Sequence, residues 1–316
     1  MGAVRIVIAA GLAAAVSLSP AFATPAADDL EGQARETWRE TIVRASVPER
    51  GCFHASYPGN EWQRMECSVA PNVPYVPHSG AITLKVGDGV DYAAEVTGLM
   101  SASVGSFPTV TGVISEKEDG PSNYSLQLNS NFMSTAACDG ISGCMAWEQF
   151  VYTSDYRRAF MQYWLINYGD ICPSGWNSYS TDCYMNSAAV SAPKQVITQL
   201  ENLKLSGSAV ENGIDTLVFT TETDAYSTTG EDSVVDLATD WQASEFNVIG
   251  DGGGSNAVFN KGSSITVNIE VTDGSKKKPS CGGRHAGTTG ETNNLILGPC
   301  TASAGSTPSI EFTESN

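Results

Sequence analysis

Histidine and basic residues are scarce in this sequence. Its 316 residues include three histidines, His54, His78 and His285, and no HExxH, GxSxG or P-loop pattern. The standard zincin, α/β-hydrolase and nucleotide-binding machineries therefore have no anchor. A Ser-His-Asp system would have to rest on His285, which stands in a Gly-rich, cysteine-bracketed stretch and reads as an exposed loop histidine. Seventeen Lys and Arg face 35 Asp and Glu, a formal charge of −18. Coulomb repulsion then opposes binding to nucleic acid or to anionic membranes, and neither is an expected partner. No CxxC pair occurs, so zinc held by cysteines is not expected. No metal ligand set is predicted, and no segment repeats with a fixed period, which argues against a solenoid or propeller. After the first 23 residues no apolar run is long enough to cross a bilayer.

That first stretch carries one basic residue, Arg5, then a long apolar run and the small-x-small ending Ala21-Phe22-Ala23. It reads as a secretory signal peptide, residues 1–23, cut before Thr24. The product is expected to be exported, extracellular or periplasmic, soluble and monomeric. The acidic balance also suits work at low pH, where protonating carboxylates relieves self-repulsion. All eight cysteines follow the leader, and an even count in an oxidising compartment predicts four disulfides. They fall in local pairs: Cys52 with Cys67, Cys138 with Cys144, Cys172 with Cys183, and Cys281 with Cys300.

Residues 28–46 form the one convincing helical pattern. Leu30, Ala34, Trp38 and Ile42 recur every four residues, and Glu31/Arg35 and Glu40/Arg44 stand at i,i+4 in the favourable order. A cysteine-bracketed segment follows and ends in prolines 71, 74 and 77, which read as an extended linker. The predicted organisation is thus leader 1–23, a small helical, disulfide-closed N-terminal segment 24–78, and a β domain 79–316. From about residue 80, some ten short alternating segments succeed one another without helices, among them AITLKV, DYAAEVTGLM, YSLQLNSNF, QVITQLENLKLSG and WQASEFNVIG. This pattern predicts an all-β fold, a single antiparallel β-sandwich of jelly-roll type. The Gly250–Ser255 run GDGGGS has no helix after it and reads as a hairpin connection rather than a phosphate cradle.

Trp147 to Tyr168 reads as two aromatic-rich strands around the turn SDYRR. Alternation puts Trp147, Gln149 and Val151 on one face and Glu148, Phe150 and Tyr152 on the other. Amides and carboxylates among so many large apolar groups cost free energy unless bonded or employed, which makes Gln149, Glu148 and Gln162 candidates for a site. In WQASEFNVIG, alternation groups Trp241, Ala243, Glu245 and Asn247. Glu245 then lies mid-strand among apolar and amide neighbours, a setting that raises a carboxyl pKa and equips it for proton transfer in acid.

These residues resemble a known family, the glutamic peptidases called eqolisins. The likeness lies in Trp147-Glu148-Gln149-Phe150 followed by Phe160-Met161-Gln162-Tyr163-Trp164, and in Ala243-Ser244-Glu245-Phe246-Asn247-Val248, which has one extra residue between Ala and Glu. It covers roughly residues 100–272 in element order. Where that family carries Tyr-Glu-Trp, this chain has Gln162-Tyr163-Trp164. The resemblance implies a concanavalin-like β-sandwich, secretion with a propeptide, acid-acting hydrolysis of polypeptides, no cofactor, and a catalytic dyad of Gln149 and Glu245. Trp147, Glu148, Gln162, Trp164, Trp241 and Asn247 would support it or bind substrate. The plant prolyl endopeptidase neprosin is a more remote likeness. Two other classes remain open. A lectin-like carbohydrate-binding sandwich would use Tyr152, Tyr156, Trp176 and Tyr179 as stacking platforms. A glycoside hydrolase would need paired carboxylates such as Glu148 and Glu245 at about 5 to 10 Å.

Overall fold

A computed structural model describes residues 1–2, 27–77, 85–87, 91–117, 120–283 and 289–316. The leader and its cleavage point, His78, His285, the 78/79 boundary and the start of AITLKV lie outside them. Among the described residues, 22 strands form two antiparallel sheets, with one parallel pairing between Asn256–Phe259 and Thr292–Ser303. The expected all-β sandwich is what forms. Strands are about twice as numerous as the sequence pattern indicates, because two- and three-residue pieces such as Ser68–Val69 and Glu116–Lys117 are too short to show alternation.

The sheet that bears the candidate residues contains, in chain order, β1 (Tyr92–Glu95), β2 (Ser125–Ser130), β3 (Met145–Thr153), β4 (Arg158–Ile166) and β5 (Ala243–Ile249). Across the sheet they run β4-β3-β2-β5-β1. β3 and β4 are the predicted aromatic hairpin, in register from Met145 with Ile166 to Thr153 with Arg158. Their inward faces, Phe150, Tyr152, Met161 and Tyr163, join Leu126, Leu128, Phe246 and Val248 in a core shared with Phe219, Leu205 and Ile269 of the first sheet. Tyr152 stacks on Phe219 with ring centroids 3.9 Å apart.

Each buried ring contributes roughly 1.5–3 kcal/mol, and two glycines make room for them. A Cβ on Gly207 would lie 2.3 Å from the Phe150 ring, and one on Gly105 would lie 2.1 Å from Phe246. The two rings press directly on the backbone of the opposite sheet.

The segment QVITQLENLKLSG departs from the predicted strand. Ile197–Asn202 is a 3₁₀ turn that plants Ile197 and Leu200 in the core, and only Lys204–Ser208 is strand. The spacing of i and i+3 suits a 3₁₀ turn and is easily mistaken for a broken alternation.

Helix α1 (Ala27–Ile42) lies on the outer face of the first sheet. Trp38 and Ile42 pack on Ala55 and Ala225, and Val43 packs on Val104 and Val218. The predicted pairs form, Arg35 with Glu31 at 3.2 Å and Arg44 with Glu40 at 2.8 Å, but Leu30 at the start of the stripe is exposed. The N-terminal segment is woven into the sandwich. Cys52–Ser56 pairs with Asp224–Glu231 in the first sheet, and Ser68–Val69 pairs with Ala188–Ser191 beside the second. The four disulfides are the predicted local pairs. Among the described residues no helix is long and apolar enough to cross a membrane.

Candidate active site

Register brings the polar residues into one row. Gln162 of β4 is opposite Gln149 of β3, Gln149 opposite Asn129 of β2, and Asn129 opposite Glu245 of β5. Residues paired across strands share a face, so all four side chains stand on the outer face of the second sheet, away from the common core. A second row, two residues along, holds Gln127 and Asn247, also opposite each other. Six amide or carboxyl side chains thus occupy one patch, and each is at most 1% exposed.

Burial at this density requires partners, and they are found. Trp164 Nε1 donates to both Gln149 Oε1 and Gln162 Oε1 at 3.0 Å. Since an indole N–H can only donate, this contact fixes the orientation of the Gln149 amide. Gln149 Nε2 is turned the other way and donates to Gln127 Oε1 at 3.1 Å, leaving its second N–H for another acceptor. Gln127 Nε2 in turn donates to Glu291 Oε2 at 3.3 Å.

Glu245 accepts from Asn129 Nδ2 at 3.3 Å. Burial pushes its carboxyl well above the usual range, and the neighbouring Asp91 adds to the rise, while Asn129 opposes it. Asp91 and Glu245 approach as a carboxyl pair, for which one shared proton is the arrangement that satisfies both oxygens. Asn247 Nδ2 donates to Asp91 Oδ1 at 3.3 Å and to Glu314 Oε2 at 3.2 Å, tying the pair to the C-terminal strand. No direct bond links Gln149 with Glu245 among the described residues. Two strand spacings, about 10 Å, separate their backbones, with Asn129 between.

The proline-rich stretch Pro71 to Pro77 lies across this patch. The sequence pattern describes it as a linker; it is extended, yet it is packed against the sheet rather than solvated. Its main chain is held by side chains: Gln162 Oε1 accepts from Tyr75 N at 2.7 Å, Gln162 Nε2 donates to Val73 O at 2.9 Å, and Glu291 Oε1 accepts from Val76 N at 3.2 Å. The Gly-rich loop after β5 closes over it, with Gly253 N donating to Pro74 O at 2.7 Å. Prolines lower the number of donors to be satisfied, and the remaining ones meet amides and carboxylates that no local pattern in residues 71–77 reveals.

The other predicted residues are distributed as follows. Trp147, Trp164 and Tyr184 form an aromatic cluster at the end of the row, and Trp147 Nε1 is bound to Ser130 O at 2.8 Å. Trp241 is not on the Glu245 face. It precedes β5, outside the alternating stretch, and its ring lies in the core 6.0 Å from that of Phe150. Glu148 is on the opposite face of β3, in the sandwich interior, where burial and then Asp215 raise its pKa. The sheet therefore separates Glu148 from Glu245, and they are not a facing carboxylate pair of the kind a glycosidase uses. Tyr152 is a core residue, so the set Tyr152, Tyr156, Trp176 and Tyr179 does not make one exposed stacking platform. Asp251 is bound to Tyr75 and Thr153, while Asp273 caps a turn at Ser275; no cluster of three metal-ligating side chains occurs among the described residues.

Sequence reasoning passed over Asn129, Gln127, Asp91, Glu291 and Glu314. Gln127 and Asn129 carried the same signal as Gln149, an amide alternating with leucines in SLQLNS.

No family model matches the chain, and no curated protein matches it. Two solved structures of scytalido-glutamic peptidase, one with a transition-state analogue inhibitor and one with a peptide-based transition-state analogue, are similar in structure. The first is 10% identical with a TM-score of 0.29, covering 72% of this chain and 97% of the other. The second is 12% identical with a TM-score of 0.31, covering 73% and 97%. The similarity is remote, and the functional reading below rests on the geometry of the site.

Proposed function

We propose that this chain is an exported, acid-acting endopeptidase of the glutamic type, monomeric, with Gln149 and Glu245 as its catalytic pair. One observation carries the reading: an extended stretch of polypeptide lies over the face bearing Gln162, Gln149, Asn129 and Glu245, held through its main chain. A surface that binds peptide backbone beside an amide donor and a proton-accepting carboxyl is equipped to hydrolyse a peptide bond.

In the reaction, the carboxylate form of Glu245 takes a proton from a water as its oxygen attacks the scissile carbonyl. The free N–H of Gln149 Nε2 donates to the oxyanion that forms. The proton then passes to the leaving amine as the C–N bond breaks, giving a carboxylic acid and an amine and restoring the carboxylate. Asp91 keeps a proton in the pair under acid conditions. No metal or cofactor enters these steps.

Residues 24–78 act as a propeptide in this reading, and Pro71–Pro77 is the part that blocks the site. Moving this strap alone would open the face, because Cys52–Cys67 ties its root to a strand that can stay in the first sheet. The test is protein cleavage by the exported chain over pH 2 to 7 with inhibitors of the other peptidase classes present. Acid proteolysis that is lost in Glu245→Gln supports the assignment; its absence in the unaltered chain at every pH overturns it. Mass spectrometry of active material defines the strap's fate, since an N-terminus at Thr24 on an uncut chain excludes obligatory removal.

A further inference from the structure

The strap places one side chain in a site built for it. Tyr75 is fully buried, packed with Ala70, Val151, Phe160 and Ala189, its ring centroid 5.9 Å from that of Phe160. At the far end of this apolar slot the phenol donates to Asp251 Oδ1 at 2.8 Å. The other Asp251 oxygen accepts from Thr153 Oγ1 at 2.8 Å and from Asp155 N at 3.2 Å, so the carboxylate is anchored with Oδ1 presented to the slot. The Gly-rich loop completes the enclosure. Gly252, at φ +88°, sits where a Cβ would lie 2.5 Å from Val73 and 3.5 Å from the Tyr75 ring, so only glycine lets the loop come this close to an occupant.

We propose that this slot is a side-chain subsite of the peptide-binding face and that it selects tyrosine from polypeptide substrates, with Asp251 reading the phenol hydroxyl. Tyr75 occupies it in the strapped chain, and a substrate tyrosine takes its place when the strap leaves. This rests on the peptidase reading, which supplies the substrate. The chemistry is that of a site built to bond a hydroxyl: an otherwise similar side chain without that hydroxyl leaves Asp251 Oδ1 short of a donor and is rejected strongly. Val151, Phe160 and Ala189 accept either ring, so selection between tyrosine and phenylalanine falls to Asp251. It also gives the motif GDGGGS a role: its aspartate recognises the occupant and its glycines fit the loop closely around it.

The test separates binding from cleavage. A chain carrying Tyr75→Ala and Glu245→Gln is titrated with two labelled heptapeptides, PNVPYVP and PNVPFVP, followed by fluorescence anisotropy. The tyrosine peptide is expected to bind at least about tenfold more tightly, and Asp251→Ala should erase the difference. Equal binding, or binding of neither peptide, overturns the inference. Should Tyr75→Ala not fold, cleavage mapping replaces it: the unaltered exported chain digests a denatured protein mixture at acid pH, and tyrosine should be enriched over phenylalanine at one fixed distance from the cut. In Asp251→Ala that enrichment should vanish while total cleavage persists. Cleavage without any tyrosine preference overturns the subsite alone. Preferential tyrosine-peptide binding with no cleavage at any pH overturns the peptidase reading and leaves the subsite standing.

Discussion

Gln149 and Glu245 face the same residue from opposite sides: Asn129 is the cross-strand partner of both. The catalytic proposal depends on this relationship, because it sets an amide donor and a carboxyl on one face with a single strand between them. Glu245→Gln should abolish acid proteolysis, and Gln149→Ala should lower kcat by about 10²–10³, the usual loss for one oxyanion donor. Both variants should keep the near-ultraviolet circular dichroism of the parent. Full activity in either at pH 3 to 5 would remove that residue from the mechanism.

Buried carboxyls set the pH dependence of stability. Burial raises the pKa of Glu148, and Asp215 beside it raises it further; burial and then Asp232 raise Asp215. Asp251 is pushed up to about 7, by burial first. These groups hold protons in the folded chain at pH values where the unfolded chain, with carboxyls near 4, has released them. The folded state therefore binds more protons, and stability falls as pH rises from about 4 toward neutrality. Melting temperature should drop on the order of 5 °C or more between pH 4 and pH 8. Asp215→Asn, which needs no shared proton, should flatten the curve; an unchanged slope would show that this pair does not govern it.

Much of this arrangement was legible in the sequence. The aromatic hairpin, the local cysteine pairs and the helix with its i,i+4 ion pairs all follow from spacing alone, because each is made by residues close in the chain. Gln149 and Glu245 were found because an amide or carboxyl in an alternating apolar strand is conspicuous. What spacing does not convey is which strands become neighbours. Asn129 gains its meaning only when β2 is seen to lie between β3 and β5, and Glu291 and Asp91 only when distant segments fold over the same face. Trp241 shows the opposite error: alternation was extended two residues beyond the start of β5 and put the ring on the wrong side.

Gly207 is predicted to be irreplaceable for reasons of packing. Its backbone angles need no glycine, but a Cβ would lie 2.3 Å from the Phe150 ring, which is itself locked between the sheets. Gly207→Ala should cost about 1–3 kcal/mol or more, measured as a shift in the urea midpoint with unchanged slope. Pairing it with Phe150→Leu, which frees space at that point, should recover part of the loss; two additive losses would show that the contact is not the cause.

Trp164 tests whether the orientation of an amide matters to the chemistry. Its indole N–H bonds both Gln149 Oε1 and Gln162 Oε1, and this contact turns the Gln149 Nε2 group toward the open side of the row. Trp164→Phe keeps an aromatic ring beside Trp147 and Tyr184 but removes the donor, leaving the Gln149 amide free to rotate. If the indole acts by positioning, kcat should fall by about 10-fold or more, with KM changed far less. A change confined to KM would instead assign the indole to substrate binding. Equal kcat and KM, with only a lowered melting temperature, would reduce Trp164 to a packing residue and leave the orientation of Gln149 to its bond with Gln127.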